Sequence, residues 1–191
     1  MRALLACVGL MVAGVAQGAA CPADDPLATV RAVGFSCTLG NQTYSAFDVM
    51  GVPLDTRVQF GQVGELFAVT LSRDGGFFTD RTVVFDYTVT VTSPNHFVQG
   101  TLGADVSFPT VLISTSMGSQ MLTSLNGQFE MVEFPAGTGR VVVDNTAHLG
   151  SNGELNSITN DFSQVQVGVP EPGTLALLGL GLLGLALARR G

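Results

Sequence analysis

The chain has 191 residues with 15 acidic and 8 basic side chains, a formal net charge of −7, and every base is an arginine. Such a surface is a poor partner for nucleic acid, whose binding rests largely on Lys and Arg neutralising phosphates. A chain without Lys also lacks the G-K-[ST] ending of a phosphate-binding loop, which sets nucleotide binding aside.

The first element, MRALLACVGLMVAGVAQGAA, covers residues 1–20. Arg2 precedes an uncharged run from Ala3 to Val15, and small residues then lead to Cys21, which is the layout of a secretory signal peptide. Its apolar run is shorter than the roughly 20 residues a membrane span needs. Cleavage after Ala20 places Gly18 and Ala20 at the two small positions, whereas cleavage after Gly18 uses Ala16 and Gly18. An uncleaved anchor and a lipoprotein signal ending at Cys21 are the alternatives, the second opposed by Gly18 where an aliphatic residue is usual. Residues 21–168 then make one exported domain, long enough to bury a core. With Arg2, Glu171, Arg189 and Arg190 left out, that domain keeps 14 acids and 5 arginines, a net charge of −9. Cys7 leaves with the signal, so Cys21 and Cys37 remain as an even pair in an exported chain. A disulfide between them is expected, closing a loop of about 15 residues and adding on the order of 3 kcal/mol in the chain-entropy model.

From residue 43 onward the hydrophobic residues alternate with polar ones at period two. In TVVFDYTVTVTS, Val83, Phe85, Tyr87, Val89 and Val91 share one face, while Asp86, Thr88, Thr90 and Thr92 share the other. A pleated strand with one buried and one wet face produces that pattern. Similar runs occur at 43–50, 57–63, 66–73, 97–108, 110–117, 128–134, 139–146 and 162–167, separated by turn chemistry such as Asp74-Gly75-Gly76, Ser93-Pro94-Asn95 and Asn126-Gly127. About nine or ten short strands spaced this way predict an all-β chain, an antiparallel β-sandwich or open barrel. A turn near residues 22–32 is the one place where helix competes.

Few residues suggest chemistry. His96 and His148 have no metal-ligand spacing, and no nucleophile elbow of the G-x-S-x-G kind occurs. Glu130 and Glu133 are three apart, so on a strand they face opposite ways, with Glu133 in the series of Phe129 and Met131. Such an acid is either an inward functional group or an edge-strand charge that discourages sheet-to-sheet pairing, and the second is the expectation. Asp74, Asp80 and Asp105 lie in or near Gly-bearing segments where oxygen ligands can gather around Ca²⁺, but without the EF-hand loop pattern. No cofactor is otherwise expected. Asn41-Gln42-Thr43 fits the glycosylation triplet, which is frequent by chance.

The last element is residues 169–191, VPEPGTLALLGLGLLGLALARRG. A stem of Val169, Pro170, Glu171 and Pro172 leads to an apolar run from Thr174 to Ala188, closed by Arg189 and Arg190. At about 1.5 Å per residue the run covers roughly 23 Å, against a hydrocarbon core of about 30 Å. It spans only with local thinning or with the arginines snorkelling, and these are expected on the cytoplasmic side.

This tripartite ending closely resembles the PEP-CTERM sorting signal of Gram-negative bacteria, with Pro170, Glu171 and Pro172 as the name-giving triplet and Gly173 and Thr174 following as they commonly do. The signal is sometimes named an ice-binding protein C-terminal domain, though nothing in these residues shows ice binding. The stretch CTLGNQTYSAF, with Cys37, Gly40, Tyr44, Ser45 and Phe47, is more loosely similar to the opening of many such cargo proteins. The resemblance implies a transient inner-membrane anchor with a cytoplasmic C-terminus, then cutting at the motif by an exosortase, a membrane cysteine protease-transpeptidase. It also implies a product at the cell surface or in an exopolysaccharide or biofilm matrix. A plain transmembrane anchor retained for life is the alternative. The expectation is a non-enzymatic cargo protein, either binding polysaccharide on a sheet face or self-associating through sheet edges. The alternative from another class is a secreted carbohydrate-active hydrolase.

Overall fold

The computed structural model describes residues 19–73, 78–79, 81–108 and 110–166. In chain order its first strands are β1 (Ala19–Ala20), β2 (Asp24–Pro26), β3 (Ser36–Leu39), β4 (Gln42–Met50), β5 (Thr56–Val63), β6 (Leu66–Arg73) and β7 (Phe78–Thr79). They are followed by β8 (Thr82–Val91), β9 (Asn95–Phe108), β10 (Val111–Met117), β11 (Gln120–Leu125), β12 (Glu130–Glu133), β13 (Arg140–Leu149) and β14 (Glu154–Gln166). One turn of helix, α1 (Leu27–Val30), follows β2 and buries Leu27 and Val30.

The strands form two sheets. The first has the order β1-β3-β4-β8-β13-β10-β11, and the second β12-β9-β14-β6-β5-β2, with β7 pairing the start of β14. All pairs are antiparallel except β1 with β3. The core is the slab between the sheets, filled by every second residue of each strand. From the first sheet come Val83, Phe85, Tyr87 and Val89 of β8 and Val111, Ile113 and Met117 of β10; from the second come Val69 and Leu71 of β6 and Ile158 and Phe162 of β14. Each such side chain contributes about 1.5–3 kcal/mol on burial, so the inner faces hold the sandwich closed. Rings bridge the two layers, with Phe47 edge-on to Phe60 at 6.0 Å and Tyr87 edge-on to Phe162 at 6.4 Å.

A polar belt crosses the core. The Asn145 side-chain amide donates to the Phe85 carbonyl at 2.6 Å and to Asn160 Oδ1 at 3.0 Å, which also accepts from the Tyr87 hydroxyl at 3.1 Å. Thr115 Oγ1 donates to Asn145 Oδ1 at 2.8 Å. Asn145 and Asn160 sit on opposite sheets and are fully buried, so these bonds fix how the two layers register. Two glycines are required by close approach. A Cβ on Gly51, where φ is +70°, would lie 1.9 Å from the Thr82 carbonyl oxygen, and one on Gly100 would lie 2.7 Å from Met117 Sδ.

The chain is therefore all β, and the choice between sandwich and open barrel falls to the sandwich. The fourteen described strands exceed the nine or ten expected because β1, β2, β3, β7 and β11 are short or lack clean alternation. The first half of β14 escaped because register irregularities flank Leu155 and break its period. The turn expected near residues 22–32 is α1. The end segments 1–18 and 167–191, where a signal helix and a membrane helix are expected, lie outside the described residues.

Candidate functional site

The sorting motif is approached along β14. This strand stays paired with β9 through Val165 opposite His96 and Gln166 opposite Asn95, and Gln164 Nε2 donates to Asn41 Oδ1 at 2.5 Å beside it. The described part of β14 reaches Gln166. Val169, Pro170, Glu171, Pro172, Arg189 and Arg190 themselves lie outside the described residues.

The outer face of the first sheet carries a row of acids that alternation alone does not reveal. Register places Asp48 of β4 opposite Asp86 of β8, Asp86 opposite Asp144 of β13, and Asp144 opposite Ser116 of β10. Directly opposed residues in antiparallel strands have Cβ atoms about 4.5–5.5 Å apart, so the carboxylates feel one another. Burial pushes the Asp86 carboxyl up to about 6; Asp144 and Asp48 add to the rise, and the Asn145 N–H donated to Asp86 Oδ1 at 2.9 Å opposes it. Ser116 Oγ donates to Asp144 Oδ2 at 2.8 Å. Asp86 therefore holds its proton to higher pH than an ordinary carboxylate. On the second sheet's outer face Asp161 accepts from Thr101 Oγ1 at 3.1 Å, and burial raises its carboxyl against that bond.

The other residues singled out in the sequence do not converge. Cys21 and Cys37 are joined in a disulfide with Cα atoms 4.7 Å apart, which leaves no Cys21 thiol for lipidation. Glu130 and Glu133 lie on β12, the edge strand of the second sheet. The core-facing residue there is Val132, so Glu133 is exposed on the outer face with Met131, and Glu130 is half-buried on the other side. His148 contacts Thr82 Oγ1 through Nδ1 at 3.2 Å on the first sheet's outer face, while His96 is on β9. Asp105 is exposed on β9, and Asp74 and Asp80 lie outside the described residues. Among the described residues no group of three or more His, Cys, Asp or Glu side chains is arranged to hold a metal ion. Asn41, of the glycosylation triplet, is half-buried and bonded to Gln164.

Among the described side chains, aromatic rings are withdrawn from the sheet faces. The chain has no Trp, both tyrosines are buried, and the exposed ring among the described residues is Phe129, between β11 and β12.

Against known proteins, residues 168–190 match the PEP-CTERM protein-sorting motif. The chain therefore carries a signal for exosortase-dependent sorting of an exported protein. No curated protein matches the chain. Among solved structures, TmCBM61 in complex with beta-1,4-galactotriose aligns at 15% identity and a TM-score of 0.40, covering 64% of this chain and 90% of the other. The enzymatically active domain of bacteriophage CBA120 tailspike protein 4 aligns at 15% identity and a TM-score of 0.31, over 66% of this chain and 19% of the other. Neither is similar enough for a ligand or an activity to carry over.

Proposed function

We propose that the β-sandwich is a non-enzymatic cargo delivered to the cell surface or extracellular matrix, where it serves by association. The observation that carries this reading is the sorting motif at residues 168–190, which follows in the chain the β-sandwich whose last described strand is β14. What the motif sorts is the sandwich itself. Between the two kinds of association, self-association has the better support. Polysaccharide binding by stacking needs exposed rings on a sheet face, whereas Tyr44 and Tyr87 are both in the core. The exosortase and the inner membrane are the partners in transit.

The test replaces Pro170, Glu171 and Pro172 together by Ala and follows both proteins by fractionation. The wild type is expected at the surface or outside, and the triple variant is expected to accumulate in the inner membrane. Equal release of both contradicts the reading.

A second reading, a secreted hydrolase acting on glycans, has one observation in its favour. Asp86, pushed up to about 6, stands directly across from Asp144, and an acid paired with a carboxylate base is what glycosidic cleavage uses. Sugar release from polysaccharide by the wild type, lost in Asp86→Asn, marks that reading; no release from the wild type overturns it.

A further inference from the structure

A two-sheet sandwich has four edges, and each exposes backbone groups that can recruit another strand. Three are blunted. At one edge β1 leaves with a signal cleaved after Ala20, so the exported chain's first sheet ends at β3, four residues long and tied to the segment before it by the Cys21–Cys37 disulfide; β2 contains Pro26 beside Asp24 and Asp25, and β12 is four residues long with Glu130 and Glu133. The fourth edge, β11, is six residues long and reads QMLTSL, without charge or proline. It lies within residues 106–129, a stretch without a charged side chain in a chain of net charge −7.

The apolar surface gathers at the same edge. Met121 is 70% exposed and Leu125 51%, and Leu112, cross-strand from Leu125, is exposed beside them. Phe129 and Met131 continue the exposed group toward β12. Asn126 N–H donates back to the Val111 carbonyl of β10, and Leu125 accepts from Gln128 on the other side. Alternation along the strand therefore turns the N–H and C=O groups of Met121 and Thr123 outward, where no described strand pairs with them.

We propose that two copies of this chain pair antiparallel through β11, about a two-fold axis at Thr123, continuing their first sheets into one. The inference rests on the reading of the sandwich as a self-associating cargo, and it names the edge. With the axis at Thr123, Met121 of each copy faces Leu125 of the other, so both exposed apolar residues gain cross-strand partners. Leu122 and Ser124 face each other on the core side, and Thr123 exchanges its backbone hydrogen bonds with its own counterpart. Residue i contacts j and j contacts i, which closes the pair. Two strongly acidic copies repel over most of their surface, and the uncharged β10–β11 hairpin is where they can approach. A second copy is thus the occupant that the charge distribution and the strand's self-complementarity select.

The test produces the full chain, recovers the exported protein, and measures its mass by sedimentation velocity over a concentration series. The variants are Thr123→Lys and Thr123→Glu, at an exposed position where the fold tolerates either. Wild type is expected to sediment as a pair at the upper end of the series. Each variant alone is expected to weaken pairing by about tenfold or more, because like charges then meet across the axis, and an equimolar mixture of the two is expected to restore it. Thermal unfolding of each variant matching the wild type separates lost pairing from lost folding. A monomeric wild type, variants that pair like the wild type, or a mixture that fails to restore pairing overturns the proposal. A protein that is sorted and released yet monomeric removes the edge pairing and leaves the delivery reading intact. One that pairs while held in the membrane does the reverse.

Discussion

At the residue scale the acids of the first sheet's outer face work against the fold. Asp86 binds its proton more tightly folded, at about 6, than at its ordinary value of 3.8. Between those values the folded state holds a proton the unfolded state has released, so stability falls as pH rises through the window. Asp86→Asn keeps an acceptor for the Asn145 N–H and removes the repulsion from Asp144 and Asp48. After allowance for solvent screening it is expected to raise Tm by about 3 °C at pH 8 and to leave it unchanged below pH 4. Calorimetry at the two pH values checks this, and a lower Tm at pH 8 contradicts it. The polar belt has the opposite sign. Asn145→Ala leaves Asn160 Oδ1, the Phe85 carbonyl and the Thr115 hydroxyl short of a buried partner. That costs about 1–3 kcal/mol, read as a lower midpoint in urea with an unchanged slope.

At the element scale the strands were legible wherever alternation survives and hidden wherever it does not. β8 reads directly, since Val83, Phe85, Tyr87 and Val89 all turn inward. β11 does not, because Met121 and Leu125 put apolar side chains on the outer face while Ser124 is buried in the core. The same failure of the inside-outside rule is what the proposed pairing through β11 would use. The acid row was illegible for another reason. Asp48, Asp86 and Asp144 are 38 and 58 positions apart, each an ordinary outward residue, and strand register alone aligns them. The cysteine pair was readable from its even count in an exported chain. The resulting bond ties the segment after β1 to β3 at the open edge of the first sheet. Cys37→Ser is expected to lower stability by about 3 kcal/mol. Adding reductant to the wild type should lower its thermal midpoint in the same way, and an unchanged midpoint in both contradicts the assignment.

At the scale of the whole molecule, three carboxyls, Asp25, Asp86 and Asp161, are raised chiefly by burial. Each favours the protonated folded state, so the sandwich is expected to be more stable near pH 5 than at pH 8. Thermal midpoints across that range check the sign; a midpoint that falls on acidification contradicts it. The molecule combines this sparsely charged sandwich with a sorting motif at residues 168–190. Whether that motif delivers the sandwich is read from the intact mass of the exported protein. A mature chain is expected whose C-terminus lies at or near Val169 to Pro172, with the apolar run and Arg189 and Arg190 removed. Recovery of Arg189 and Arg190 on all of the exported protein would contradict it.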